Sequence, residues 1–425
     1  MSNLLAVIRP KTIPKILGFS AIILYQLSFC GLLYLSWSRH TYFFAEQYEH
    51  FSGPKITLTL LVIVLILFFY NFVYEQSARI FHLSFCQLLW LVMPLVVLLA
   101  LTPPVLSMDA GAYVIYARHF FVFGQNPYLV HLSDITANPW VAEFDPAWWV
   151  SLTSPYGPWF TLLLGPVIAL SGGSLLAAVL IYKLCLVGVY VWCLVLCQRI
   201  IHQFKLPEST LLLFALNPAI LIHGILEGHN DLLVLLSLLL AIYYFPRTWL
   251  TSVFWVSLGV AIKYIPGVLL SVYLANDKKI YWKRVLPTLG VVAGVFLLGM
   301  IPFGLPLHAF WQNVVQLSHL PGLYQYPPAI RLANAYFPQA KPWVLSLGGG
   351  LLFFLIWYIN VWRSMKILEY TFWSTLVLIF VLSPSFRPWY TMSIIGMGVL
   401  LSSKLHYRLL TFVILLYSFM HYFGV

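Results

Sequence analysis

The chain has 425 residues, of which 61% are hydrophobic and 8% charged, with a mean hydropathy of +0.90 and a formal net charge of +11. Soluble proteins carry about 25% charged residues, so these side chains cannot clothe a water-facing surface of this size. Composition therefore excludes a soluble globular domain and points to an all-α, polytopic membrane protein.

The chain opens with Arg9, Lys11 and Lys15 ahead of the apolar run Leu17–Trp37. That run is too long for a signal-peptide core and lacks a small-x-small cleavage site, so it reads as a retained first helix with a cytoplasmic N-terminus. Ile56–Tyr74 returns inward and Phe85–Thr102 exits, leaving 103–157 as a long outer loop. That loop holds Asp109, Asp134, Glu143 and Asp145 against the single basic residue Arg118. The stretch PWFTLLLGPVIALSGG, 158–173, is short, holds two prolines and follows Trp140, Trp148 and Trp149. It reads as a helix lying along the outer interface, where Trp concentrates. Ser174–Cys197 runs inward, 209–226 outward and 232–245 inward. Residues 249–274 are broken at LGVAIKYIPGVLL by Lys263 and Pro266, which predicts a half-helix pair of the kind tolerated beside a cavity. Arg284–Phe303 exits, 304–342 forms a second outer loop, and four more helices follow.

The expected architecture is thus about 13 hydrophobic crossings, one pair short or broken, plus interfacial helices in the first large outer loop. No polar stretch is long enough for a separate soluble domain, so 1–425 reads as one transmembrane domain. Its parts are a helix pair (1–84), core helices (85–303, with the loop 103–173), a second outer loop (304–342) and C-terminal helices (343–425). This topology puts 15 of the 23 Lys and Arg inside and eight of the twelve acids outside. The positive charge is absorbed as an orientation signal, and nucleic-acid binding loses its support. Cys30, Cys86, Cys185, Cys193 and Cys197 all fall in apolar runs, which supports neither a disulfide frame nor a cysteine metal site.

Four polar clusters converge on the outer side. In MDAGAYVIYARHFFVFGQNPY (108–128), Asp109, Tyr113 and Tyr116 share one helix face. Asp109 can act as a helix cap, but an acid at a membrane boundary is costly unless used. The turn LEGHNDLL (226–233) gathers Glu227, His229, Asn230 and Asp231, where a cap explains one acid and not the rest. Lys263 either snorkels or faces a cavity and suits a phosphate. In SPSFRPWY (383–390), Arg387 with Trp389 and Tyr390 is either an aromatic belt or a site for a phosphate beside a sugar ring. His119, His131, His308 and His319 read as surface residues, and Lys183 with Tyr182 stays undecided.

The order D-x3-Y…G-x-NPY (Asp109, Tyr113, Gly124, Asn126, Pro127, Tyr128), SPYGP with Tyr156, NPA…HND, K-x2-P and RPWY resembles the GT-C class of membrane glycosyltransferases. It is similar to polyprenyl-phosphate-mannose-dependent mannosyltransferases of the glycosyltransferase family 87 kind, over roughly residues 100–395. The resemblance implies a lipid-linked sugar donor, a glycan or lipid-linked acceptor, inversion at the anomeric carbon and a site on the outer face of a prokaryotic plasma membrane. It implies no cofactor and no metal. Asp109 maps onto the general base. The second acid that many relatives carry two turns later is replaced here by Tyr116-Ala117-Arg118. The expected substrate-binding residues are Tyr113, Arg118, Asn126, Tyr128, Tyr156, Glu227, His229, Asn230, Asp231, Lys263, Arg387, Trp389 and Tyr390. The rival class is a transporter or lipid-linked-sugar flippase, which suits broken helices and a buried lysine but finds no internal repeat here. Cysteines engineered into 103–157 are expected to react with an impermeant maleimide added outside. Labelling from the cytoplasmic side alone overturns this orientation.

Overall fold

The computed structural model describes residues 12–37, 54–80, 83–104, 106–135, 137–144, 152–276, 278–319, 327–336, 342–363, 366–383 and 386–420. Asp145, Trp148 and Trp149 lie outside these residues. The N-terminal helices α1 (Thr12–Ser28), α2 (Cys30–Trp37) and α3 (Pro54–Ile80) pack on one another. Helix α4 (Phe85–Leu101) opens with a capping box, in which Ser84 Oγ accepts from Gln87 N at 3.3 Å and Gln87 Oε1 from Ser84 N at 2.9 Å. It stops at Thr102 because Pro103 and Pro104 cannot continue a helix.

Helix α5 (Asp109–Phe121) places Asp109 in its first turn, against the positive end of the helix dipole. The Asp109 amide donates to Ser107 Oγ at 3.2 Å. After α6 (Pro139–Phe144), the expected interfacial helix over 158–173 is instead two short ones, α7 (Pro158–Leu163) and α8 (Gly165–Leu170). The second proline, Pro166, restarts the helix at its own N-terminus rather than extending the first. Helix α9 (Leu175–Phe204) is capped by Ser174, whose Oγ accepts from Ala177 N at 3.2 Å. It ends on Lys205 in the left-handed conformation.

The run 209–226 is not one straight helix. Helix α10 (Ser209–Ala215) and a π-helical turn (Ile220–Leu226) meet at 44° around Asn217-Pro218. Pro218 removes an amide, and the freed carbonyls find hydroxyls: Tyr70 donates to Leu213 O at 3.0 Å, Tyr190 to Ala215 O at 2.7 Å, and Tyr25 to Leu216 O. Asn217 Oδ1 accepts from Ala219 N at 3.0 Å, starting the second piece. A break within a lipid-surrounded bundle survives when such partners replace water.

Helix α11 (Asp231–Tyr244) is the axis of the bundle. It is apolar on nearly every face and buried from Asp231 to Ile242 with few interruptions, as expected for a helix enclosed by others. It packs on α9 and on α12 (Trp249–Val260). The expected half-helix pair is present: α12 stops before Ala261, and the chain continues through a 3-10 turn (Ile265–Leu269) into α13 (Leu270–Leu274). A tight antiparallel ladder of β1 (Ala275–Asn276) and β2 (Lys279–Ile280) reverses the chain into α14 (Trp282–Met300). The remaining helices are α15 (Leu307–His319), α16 (Pro328–Tyr336), α17 (Pro342–Arg363), α18 (Ile367–Val377), α19 (Thr391–Leu400) and α20 (Leu405–Met420). Of these, α19 also packs on α11.

Among the described residues the fold is helical apart from that short two-stranded ladder. Among the described residues, Leu175–Phe204 and Trp282–Phe303 are long and apolar enough to cross a membrane, and the bent pair at Asn217-Pro218 makes a third. The other apolar helical stretches among the described side chains, such as Thr59–Val73 and Leu347–Trp362, are 10–17 residues long, so length and composition do not establish the expected count of about 13. Large apolar side chains nevertheless cover the outside, with Trp90 82%, Leu286 80% and Leu351 62% exposed, a surface suited to lipid.

Gly157 of the SPYGP motif joins two of these parts. Its amide donates to Ile262 O at 3.1 Å, and a Cβ built on it would stand 2.1 Å from Ala261 O, a backbone atom in the break. Gly157→Ala is therefore expected to destabilise the protein by about 1–3 kcal/mol and to push Lys263 out of place. A thermal melt and an activity assay unchanged from wild type would refute this.

Candidate active site

Four segments meet at the end of the bundle where α5 and α11 begin. They are the start of α5, the turn 227–231, the break carrying Lys263, and the segment 387–390. Gly228 makes the turn possible: its φ is +71°, and its Cα lies against Ala110 and Lys183 so closely that a Cβ would stand 3.4 Å and 3.1 Å from their side chains. The turn follows the π-helical segment, and the His229 amide donates to His223 O at 3.0 Å.

Asp109 lies among these segments. Its Oδ2 is 3.5 Å from His229 Nδ1 and accepts from Tyr113 Oη at 3.3 Å; the same hydroxyl lies 3.5 Å from Asn230 Oδ1. The His229 ring stacks on Trp389 at 3.9 Å between centroids and 13° between planes, which fixes the imidazole's orientation. Lys263 Nζ donates to Asp231 Oδ2 at 2.7 Å and sits 4.1 Å from the Tyr390 ring centroid, in cation–π geometry. The Tyr113 ring is held edge-on by Tyr156 at 4.8 Å and Phe160 at 4.9 Å.

The two carboxylates differ in access and in partner. The Asp231 side chain is fully buried and bonded to Lys263, while that of Asp109 is 12% exposed. Burial opposes ionisation of Asp109. The His229 imidazole 3.5 Å away, with the Arg387 and Lys263 cations, outweighs it and holds the carboxyl below the usual carboxylate range. Asp109 is thus an ionised acceptor with some access, facing a set of fixed cations. His229 Nε2, Asn230 Nδ2 and Asp231 Oδ1 are buried polar atoms with no protein partner, pointing to a site built to receive polar groups.

The structure brings together Asp109, Tyr113, Tyr156, His229, Asn230, Asp231, Lys263, Arg387, Trp389 and Tyr390. It places three expected residues elsewhere. Arg118 lies over Trp140 at 4.1 Å. Asn126 Nδ2 donates to Phe303 O at 2.6 Å, while its Oδ1 accepts from Tyr128 N at 3.0 Å. Tyr128 Oη donates to Tyr156 O at 3.1 Å, inside an aromatic cluster with Phe303 and Phe310. These three residues tie loops together. Glu227 is fully buried, its Oε2 accepting from Leu106 N at 2.9 Å and Ser107 N at 2.8 Å. His119, expected at the surface, is fully buried, and burial with Arg118 beside it lowers its pKa to about 4. His131 is exposed and pairs with Asp134 at 3.2 Å; the His319 side chain lies outside the described residues.

Sequence reading missed Ser107, which caps Asp109, and Tyr264, whose hydroxyl bonds Ser383 Oγ at 2.8 Å beside the Arg387 segment. An apolar cavity lined by Tyr70, Asn71, Arg408, Leu409 and Phe412 lies apart from this cluster and holds no carboxylate. Among the described residues no three His, Cys, Asp or Glu side chains gather in a metal-binding group.

Residues 16–276, more than half of the chain, match the family model described as alpha-(1->6)-mannopyranosyltransferase, N-terminal domain. The chain belongs to this mannosyltransferase family. Neither a curated protein nor a solved structure matches it. The span shared with the mannopyranosyltransferase family includes Asp109, the 227–231 turn and Lys263, and ends before Arg387, Trp389 and Tyr390. Membership identifies the chain as a glycosyltransferase of the mannosyltransferase kind, in agreement with the resemblance carried by its motifs.

A lowered Asp109 pKa has a definite sign. The carboxylate is present at neutral pH and is lost only as pH falls below the ordinary value of about 3.9, so the acid limb of kcat/KM belongs below that value. In His229→Phe the imidazole's polar contact with the carboxylate disappears while burial stays, so the limb is expected to move to higher pH. An acid limb unmoved in this variant would contradict the pairing.

Proposed function

We propose that this protein is an inverting mannosyltransferase that moves mannose from a polyprenyl-phosphate donor to a hydroxyl of a glycan or lipid-linked acceptor, at the outer face of the membrane. The observation that carries this reading is the buried, ionised Asp109, its side chain still 12% exposed, facing Lys263 and Arg387. A base and a fixed pair of cations within one cluster are what displacement of a sugar from a phosphate requires. The lipid-facing surface of the bundle suits a donor that arrives through the bilayer, and the excess of acids in the loops flanking the site supports the outer face.

In this mechanism the acceptor hydroxyl lies against Asp109 Oδ2. As its oxygen attacks the anomeric carbon, its proton passes to Asp109. The bond from that carbon to the phosphate oxygen breaks through an oxocarbenium-like transition state, and the electron pair leaves with the polyprenyl phosphate. That group needs charge stabilisation and not a proton, which Lys263 and Arg387 supply from fixed positions. Attack opposite the leaving group inverts the centre, with no covalent enzyme intermediate. Tyr113 and His229 orient the base, and Asn230, Trp389 and Tyr390 offer hydrogen bonds and ring faces to a sugar. The residues present call for no metal in this scheme.

Membranes containing the protein should transfer labelled mannose from polyprenyl-phosphate mannose. Asp109→Asn should lower the rate by about 100- to 10,000-fold with donor binding retained. Full activity in Asp109→Asn removes the base assignment. Failure of every lipid-phosphate sugar, together with substrate movement across proteoliposomes, would favour a transporter.

A further inference from the structure

The site leaves two charged side chains without a chemical task. Lys183, in the third turn of α9, and Glu227, at the head of the turn, are both 0% exposed. Taking such charges out of water costs several kcal/mol per ion, and replacing a buried pair by apolar residues often leaves stability unchanged or improved. Stability is therefore a weak reason to keep them. Their hydrogen bonds give a better one.

Lys183 Nζ donates to Leu99 O at 3.0 Å and to Thr102 O, the carbonyls where α4 ends. Glu227 Oε2 accepts from Leu106 N and Ser107 N. The two side chains are within electrostatic reach of each other, and Gly228 packs on the aliphatic part of Lys183. One charge thus grips the start of the segment 99–107 and the other its end. Ser107 then accepts the Asp109 amide, so the segment delivers its geometry directly to the base. The same turn that supplies Glu227 supplies His229 two residues later. A single backbone segment therefore sets the distance between Asp109 and its partner.

We propose that Lys183 and Glu227 are positioning residues: a buried ionic clasp that fixes the 99–107 segment and, through it, the placement of Asp109 against His229. This rests on Asp109 acting as the base. It assigns Glu227 no contact with substrate.

The test compares the full-length detergent-purified protein with Glu227→Ala, Glu227→Gln and Lys183→Met. Hydrogen exchange over residues 99–112 is measured alongside kcat, donor KM and the pH profile. Glu227→Ala and Lys183→Met should lose protection in that segment alone. Their kcat should fall about 100-fold, the size of a misplacement of about 1 Å, with donor KM unchanged and the acid limb shifted upward. Glu227→Gln keeps an acceptor oxygen at the same place and should recover most of the protection and of kcat. If Glu227→Ala or Lys183→Met loses protection over the whole chain, Glu227→Gln decides: wild-type protection with kcat as low as in Asp109→Asn overturns the clasp. Lost protection with wild-type kcat also overturns it, and so does a rise in donor KM with kcat retained, which would put Glu227 in the substrate site. An active Asp109→Asn removes the base assignment instead, and leaves the exchange result standing as a statement about the segment.

Discussion

A charge withdrawn from water into a helix bundle must find its counter-charge and hydrogen bonds within the protein. At one end of this bundle Asp109, Glu227, Asp231, Lys183, Lys263 and Arg387 lie close together under that constraint. The arrangement is divided by depth. Lys183 and Glu227, fully buried, spend their bonds on main-chain groups. Asp231 Oδ2 and Lys263 pair at 2.7 Å. Asp109, the least enclosed of the three carboxylates, has the looser contacts, at 3.3 and 3.5 Å.

The same constraint explains the irregular backbone. Proline breaks at Asn217-Pro218 and after Ala261 are possible because tyrosine hydroxyls, a side-chain amide and a neighbouring main chain take the place of lost helical bonds. Each break turns a helix end toward the site. The first leads through the π-helical turn into His229 and Asp231, and the second presents Lys263. Regular helices throughout would have carried these side chains past one another.

Much of this was legible in the sequence because scarcity is informative. Twelve acids in 425 residues make Asp109 and the 227–231 cluster stand out, and Lys263 beside Pro266 marks a broken helix whatever the fold. The order of motifs carried the family. What stayed hidden were contacts with groups every residue owns. Glu227 looks like a site acid until its partners prove to be amides 120 and 121 residues earlier, and a backbone amide has no sequence signature. Asn126 and Tyr128 belong to a recognisable motif, yet their hydrogen bonds end on loop carbonyls. Arg118 finds a ring in Trp140, and its position two turns beyond Asp109 gives no hint of it. The split at Gly165 was visible as Pro166, but a proline near a helix start and one within a helix read alike without the flanking geometry.

The Lys263–Asp231 pair carries a last consequence. Since the ammonium already has a carboxylate at 2.7 Å, an anion that draws Lys263 away from Asp231 does so by exchange and not by capture of an idle charge. Affinity for that anion is reduced by the strength of the bond it displaces. Its departure is assisted by the same amount, because Asp231 is waiting to close the pair again. In the proposed transfer from a polyprenyl phosphate, such a built-in competitor trades tightness for turnover.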